Sequence, residues 1–307
     1  MTTRVLTLPS TFGATLPLEN LNSDSNRGFE LVLGHKNTLS NKLHYAIKGN
    51  VSYARAKYDH IERGESANQY TNWRNNNNNR WKNIYWGYKA IGQFQSDQEI
   101  AKSPVQDGQG NQSLRPGDIK YQDYNNDGVI DSSDIHVIGR GSKPEIMYGI
   151  DLYSEWKGVD LSVFLQGAAN FNTYLSAQMT APFYDGESSL KAFTNRWHRE
   201  DLYDINSPWV PGKYPSTYAS GSDNNKKTSS FWLQNASYLR VKEIQIGYTV
   251  PRDFIRKSGL EKLRVYLSGY NLFTFTKMNL LDPESSVSNG RYYPQQKMIT
   301  FGLNLTL

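Results

Sequence analysis

The last stretch of the chain, YYPQQKMITFGLNLTL, alternates strictly between apolar and polar side chains. Ile299, Phe301, Leu303, Leu305 and Leu307 fall on one side; Thr300, Gly302, Asn304 and Thr306 fall on the other. An extended strand, whose side chains point to opposite faces with a period of two, is what sorts residues this way, and its two faces then need different surroundings. The same period recurs upstream. Leu263, Val265 and Leu267 oppose Arg264, Tyr266 and Ser268, and Ile244, Ile246, Tyr248 and Val250 oppose Gln245, Gly247 and Thr249. Leu161, Val163 and Leu165 alternate with Ser162, Phe164 and Gln166, and Tyr148, Ile150 and Leu152 with Gly149, Asp151 and Tyr153. Leu43, Tyr45, Ile47, Val51 and Tyr53 oppose His44, Ala46, Lys48, Asn50 and Ser52. A shorter first strand is expected around Phe29, Leu31 and Leu33. The pattern predicts about seven strands, several near the ~9–11 residues that cross a bilayer at a tilt.

The connections between these strands sort into two kinds. Residues 38–41, 157–159 and 251–261 are short; residues 61–145, 171–235 and 277–292 are long. Short and long alternate, so all long loops lie at one end of the sheet. Outer-membrane barrels have this asymmetry, with short periplasmic turns and long extracellular loops. Aromatic residues near strand ends (Tyr58, Trp156, Tyr238, Tyr248, Tyr270, Tyr292 and Tyr293) are where membrane girdles sit. The competing architecture is a soluble β-sandwich, which also alternates along its strands. Arg240 and Lys242 share parity with Ile244 and Ile246, so they face lipid at the outer end or are turned aside by a bulge.

Composition narrows the class further. Hydrophobic residues are 37% of the 307, aromatics 13%, and no apolar run reaches the ~18 residues of a transmembrane helix. The absence of cysteine removes disulfides and thiolate chemistry. A net charge of +5 is spread thinly, without the Lys/Arg runs of a nucleic-acid arm, so no nucleic-acid partner is expected. The five histidines show no metalloprotease spacing, and no nucleophile elbow, phosphate loop or dinucleotide fingerprint occurs. The chain is therefore not expected to be an enzyme; a hydrolase has only scattered carboxylates behind it.

Several ordered stretches carry a family resemblance: GYKAIGQFQSDQEI, PGDIKYQDYNNDGVIDSSDIHVIGRG, YLRVKEIQIGYTVP, LRVYLSGYNLFTFTK and YYPQQKMITFGLNL. Together, from about Arg27 to Leu307, they resemble the C-terminal barrel of SusC/RagA-family, TonB-linked outer-membrane transporters of Bacteroidota. The resemblance implies an all-β fold, an antiparallel transmembrane β-barrel portion supplying about seven of about 22 strands, with long extracellular loops. Residues 1–26 are then an incomplete extracellular loop, and 27–307 the barrel strands and loops. The start has no basic-then-apolar leader, and seven strands leave two open edges. The expectation is a fragment, inactive alone, of an outer-membrane parent whose signal peptide, TonB box and plug lie elsewhere. The implied function is import of oligosaccharides or peptides, with a SusD-like surface lipoprotein, the TonB complex and outer-membrane lipid as partners. The alternative is a secreted calcium-dependent carbohydrate-binding β-sandwich.

One motif points to a cation. DYNNDGVIDSSD, residues 123–134, places oxygen-bearing side chains at loop positions one, three, five, nine and twelve, with Gly128 at six. That matches a calcium loop: Asp123, Asn125 and Asp127 by side chain, Val129 by its carbonyl, Asp131 directly or through water, and Asp134 closing. No amphipathic helices flank it, so the expected role is a static, structural clip. A run of Asx-type turns with no ion is the plainer reading. WRNNNNNRW, Trp73 to Trp81, is read as a flexible loop tip. The aromatics of loop 171–235, including Phe171, Tyr174, Phe183, Tyr184, Trp197, Trp209, Tyr214, Tyr218 and Trp232, are read as packing residues before sugar platforms.

Overall fold

The computed structural model describes residues 11, 13, 20–64, 66–218, 223–285 and 287–307; most of the stretch expected to be the incomplete first loop, 1–26, lies outside them. Seven long strands form one antiparallel sheet in chain order: β1 (Ser23–Thr38), β2 (His44–His60), β3 (Ile146–Trp156), β4 (Val159–Ala169), β5 (Tyr238–Thr249), β6 (Lys262–Thr276) and β7 (Met298–Thr306). The first strand is a correction. It spans 16 residues and begins at Ser23, four residues before the expected boundary, because polar Asp24–Asn26 continue the pairing with β2 despite lacking an apolar pattern. The short connections are tight. Lys157 and Gly158 both take positive φ (50° and 83°), the geometry of a type I′ hairpin turn whose twist suits the strands it joins.

Register carries the alternation across the sheet. Leu33, Gly49, Ile150, Leu165, Val241 and Phe273 are successive cross-strand partners, as are Tyr45, Ser154, Leu161, Ile246, Leu267 and Phe301. Both rows lie on one face, which is apolar from β1 to β7 and uncovered: Ile299 is 71% exposed and Phe301 68%. A sandwich would bury that face against a second sheet. The other sheets among the described residues are all two-stranded and lie in the long connections.

The core sits in the loops. Ile119, Tyr121 and Ile130 from 61–145 pack with Phe171, Leu175, Phe193, Tyr214 and Trp232 from 171–235, and with Met278 and Leu281 from 277–292. Burial of such side chains contributes roughly 1.5–3 kcal/mol each, so the three loops fold as one layer over one end of the sheet. The packing reading of the aromatics holds for Phe171, Trp197, Tyr214 and Trp232, which are buried, whereas Phe183 and Tyr184 are exposed. WRNNNNNRW is not a loose tip. Asn68 caps a helix at Gln69–Asn75, Trp73 meets Trp86 edge-on at 5.6 Å, and Arg80 donates to the carbonyls of Trp73 and Arg74.

Of the strand-end aromatics, Trp156 and Tyr248 lie on the apolar face at the short-turn end, in line with Val159 between them. Tyr238 and Tyr270 do not belong to that girdle. They pair with Ala168 and Glu243 on the polar face, and Tyr238 is buried.

Candidate functional site

The parity conflict at Arg240 and Lys242 is where the site begins. Between Val241 and Glu243 the register of β5 shifts against both neighbours: Lys242 is the extra residue of a bulge against β4, while β6 places two residues, Asn271 and Leu272, across from it. A bulge reverses the facing of everything beyond it. Arg240 therefore lies on the polar face opposite Gln166 and Thr274, while Val241 takes the apolar position. The loop 277–292 supplies its counter-charges. The Arg240 guanidinium, 1% exposed, donates from Nη2 to Asp282 Oδ1 and Oδ2 (2.8 and 2.6 Å), from Nη1 to Glu284 Oε2 (2.8 Å) and from Nε to Thr274 Oγ1 (2.9 Å). Tyr238 donates its hydroxyl to Glu284 (2.8 Å), and Lys242 reaches the same carboxylate at 3.1 Å. Two cations and two carboxylates thus close on one another and fix the third loop over the sheet.

Beside this cluster a cavity of about 790 Å³ opens between the polar face and the loop layer. Asn50, Phe164 and Gln166 rise from the strands, Tyr85, Phe171 and Ser288 come from the three loops, and Lys242 and Glu284 stand at its wall. Aromatic faces with amide and hydroxyl groups are the composition of a site for a polar organic ligand. Deeper on the same face, Arg264 grips Asp160 through two hydrogen bonds (2.9 and 2.5 Å) across β4, β5 and β6.

A second hub ties the two longest loops. Asp118 is fully buried and accepts from Asn225 Nδ2 (2.7 Å), from the Tyr218 hydroxyl and from the backbone N–H of Arg115 (3.0 Å). Burial pushes its carboxyl above the usual range, more than these hydrogen bonds lower it. The Arg115 guanidinium lies 3.5 Å from the centre of the Tyr218 ring and donates to Ser216 Oγ. Gln106 donates to Asn224 Oδ1, and Tyr121 donates to the Asn224 carbonyl. Lys227 reaches the Gln106 carbonyl, with burial holding its ammonium below its usual range.

In residues 123–134, Gly128 takes φ of +83°, the turn that the motif requires of it. Asp123 accepts from the N–H groups of Asn126 and Gly128, Asn125 from Asp127, Asp127 from Val129, and Asp131 from Ser133. Asp134 is buried and spends both oxygens on the N–H groups of Tyr124 and Asp131, drawing the twelfth position back over the second. Val129 bridges to Val105. Among the described residues, no three His, Asp or Glu side chains are already gathered as a metal-holding group. Asn125, Asp127 and Asp131 are exposed and Asp123 half-buried, and a carboxylate oxygen holding one N–H keeps a second lone pair for a cation.

The loops and strands together define a class: an up-and-down antiparallel sheet, one face largely apolar, with a folded loop layer over a polar cavity. Solved structures share it. The chain superposes on the RagAB peptide transporter with a TM-score of 0.64 at 21% identity, covering 98% of this chain and 31% of that one. On the RagAB peptide importer in its open-open state the TM-score is 0.68 at 19% identity. No family model matches the chain. In sequence it is similar to TonB-dependent receptor P26 of Formosa agariphila, 28% identical over 73% of this chain and 22% of the relative. It is also similar to TonB-dependent receptor P3 of the same organism, 23% identical over 97% of this chain and 30% of the relative. TonB-dependent receptor SusC of Bacteroides thetaiotaomicron is 24% identical over 94% of this chain and 27% of its own length. The chain is SusC/RagA-like, and it spans less than a third of the length of these relatives.

The stretches that carried the resemblance include both Asp118 and Arg240, but they gave no sign of what these two residues bind. Arg240 had a visible signal in its parity conflict. Asp118 lay within a quoted stretch without its partner being legible, because Asn225 is 107 residues away in sequence.

Proposed function

We propose that the chain is the C-terminal barrel portion of an outer-membrane, TonB-linked importer of oligosaccharides or peptides, its seven strands forming part of a closed barrel of about 22. The carrying observation is the predominantly apolar face that runs from β1 to β7, left uncovered while the core is built in the loops. In this reading that face meets lipid, the polar face meets a wet lumen, and the loop layer with its cavity points outward to substrate. A SusD-like surface lipoprotein is the proposed partner at the loop layer, and the TonB complex acts on a part of the receptor outside this chain. The seven strands alone leave two open edges, so the isolated chain is expected to be inactive in transport and to need detergent. A secreted sandwich is disfavoured by the lack of any described layer over the apolar face. Residues 123–134 are proposed to take up calcium through Asp123, Asn125, Asp127, Asp131 and the Val129 carbonyl, with Asp134 closing the loop. The ion would supply a static clip on an exposed loop.

A photoactivatable probe confined to the bilayer tests the main reading on the assembled receptor. Labelling is expected at Ile299, Phe301 and Leu303 and not at Thr300 or Asn304. Equal labelling of both sets, or none at the first, would overturn it.

A further inference from the structure

At the loop end of the apolar face, β1 and β2 carry an arrangement that packing among the described residues does not account for. Phe29 and Tyr53 are direct partners, their rings 5.9 Å apart, and close the apolar belt. Two residues further out on the same face, Arg27 stands directly opposite Arg55, and the next position carries Lys57 opposite Ser25. Like charges directly opposite in a sheet repel and destabilise the pair. Arg27 is exposed and has no counter-ion among the described residues, while Arg55 shares the single carboxylate of Glu145 with Arg140 (2.8 and 3.0 Å). Asp59, one step beyond Lys57 on this face, is engaged by the Ser25 hydroxyl (3.0 Å). Trp81 bridges to Lys57 and lies beneath the Arg55 guanidinium, whose carbon is 4.0 Å from the ring centroid, yet it remains 41% exposed. The result is a ledge of excess positive charge with an exposed indole, set where an apolar belt gives way to loops.

We propose that Arg27, Arg55, Lys57 and Trp81 form a membrane-side site for the phosphate of an outer-leaflet lipid headgroup. The inference rests on the membrane reading of the apolar face. Guanidinium groups suit phosphate because they donate in a planar fork, and an anion between Arg27 and Arg55 converts a repulsive cross-strand pair into a bridged one. An indole at headgroup depth, with acyl chains running down over Phe29, Leu31 and Leu33, gives the same lipid an apolar contact. Lumen-facing cations would meet substrate or water; these share a face with the belt and meet lipid.

The test uses the complete receptor that carries this chain, in detergent micelles, titrated with phosphatidic acid, with diacylglycerol of the same acyl chains, and with inorganic phosphate. Binding is read by native mass spectrometry and by the thermal midpoint. Phosphatidic acid is expected to bind well ahead of diacylglycerol and to weaken with added salt. The double variant Arg27→Gln with Lys57→Gln leaves Arg55, Glu145 and Arg140 in place; it is expected to weaken phosphatidic acid roughly 30-fold, from two near-surface cations lost. Equal binding of the two lipids, or an unchanged double variant, would overturn the proposal. Inorganic phosphate binding as tightly as phosphatidic acid would also overturn it, by showing a free-anion site. The lipid comparison and its salt dependence need no variant, so they decide the matter even if the double variant fails to assemble. Bilayer labelling of Phe301, far across the sheet, is run alongside. If it persists while phosphate selectivity is absent, only the lipid site falls; if it fails, the membrane reading itself falls.

Discussion

Replacing Arg240 with methionine should free the loop 277–292 far more than any other single change on the polar face. The guanidinium is 1% exposed and makes three bonds to carboxylates and one to Thr274. Its loss leaves Glu284, 13% exposed, with Lys242 and Tyr238, and Asp282, 20% exposed, with the Glu284 N–H alone. Breaking a buried ion pair by removing one partner costs about 3–5 kcal/mol. The partial exposure of Asp282 places this case at the lower end, about 3 kcal/mol, or ~150-fold in a local opening equilibrium. Hydrogen exchange of the complete receptor reads this directly, because the amide of Glu284 donates to Asp282 Oδ1 and that of Asp282 to the Tyr292 hydroxyl. Lys242→Met is the control. Its ammonium is 30% exposed and holds Glu284 at 3.1 Å, so it should cost no more than about 1 kcal/mol. A triple variant, Arg240→Met with Asp282→Asn and Glu284→Gln, should recover much of the loss, since the one charge it leaves without its partner is the partly exposed Lys242. Equal effects of Arg240→Met and Lys242→Met, or no recovery in the triple variant, would refute the reasoning.

Burial raises the Asp118 carboxyl, so the folded junction binds its proton more readily than the unfolded chain does. Stability from this group is therefore greatest at low pH and declines as pH rises from the unfolded carboxylate value, ~4, through the raised folded value. Exchange at the Ile119 amide, corrected for its intrinsic pH dependence, should quicken over that window in the native protein and stay flat in Asp118→Asn. A Cβ added at Gly87 would lie 2.4 Å from the Thr228 carbonyl oxygen, which the Tyr88 amide needs. Gly87→Ala should prise the two longest loops apart at a cost of about 1–3 kcal/mol, seen as faster proteolysis within 171–235 and not within the strands. Phe301→Arg should impair membrane assembly by up to about 2–4 kcal/mol, whereas Asn304→Arg on the opposite face should be tolerated; heat-modifiable gel migration compares the two. Calorimetry with calcium on the receptor should register heat that disappears in Asp123→Ala with Asp127→Ala.

Alternation by itself marked the long strands and, short of the bulge at Lys242, which side chains share the uncovered face, because a period of two is a local property of extended backbone. It missed the first four residues of β1, whose polar side chains pair through backbone groups that carry no side-chain signature. The loop lengths told where the connections gather, and the spacing of 123–134 told that this loop turns at Gly128. Tertiary structure alone decided what the loops do. Trp73 to Trp81 looked like a solvated tip; instead Trp73 sits on a capped helix and meets Trp86 edge-on, a contact supplied from outside the stretch. Asp118 meets Asn225, and Arg240 meets Asp282, across separations that no local pattern encodes. The bulge at Lys242 stands between the two. Its conflict of parity was visible in the sequence, but turning Arg240 inward rather than leaving it at the lipid edge required carboxylates delivered from a distant loop.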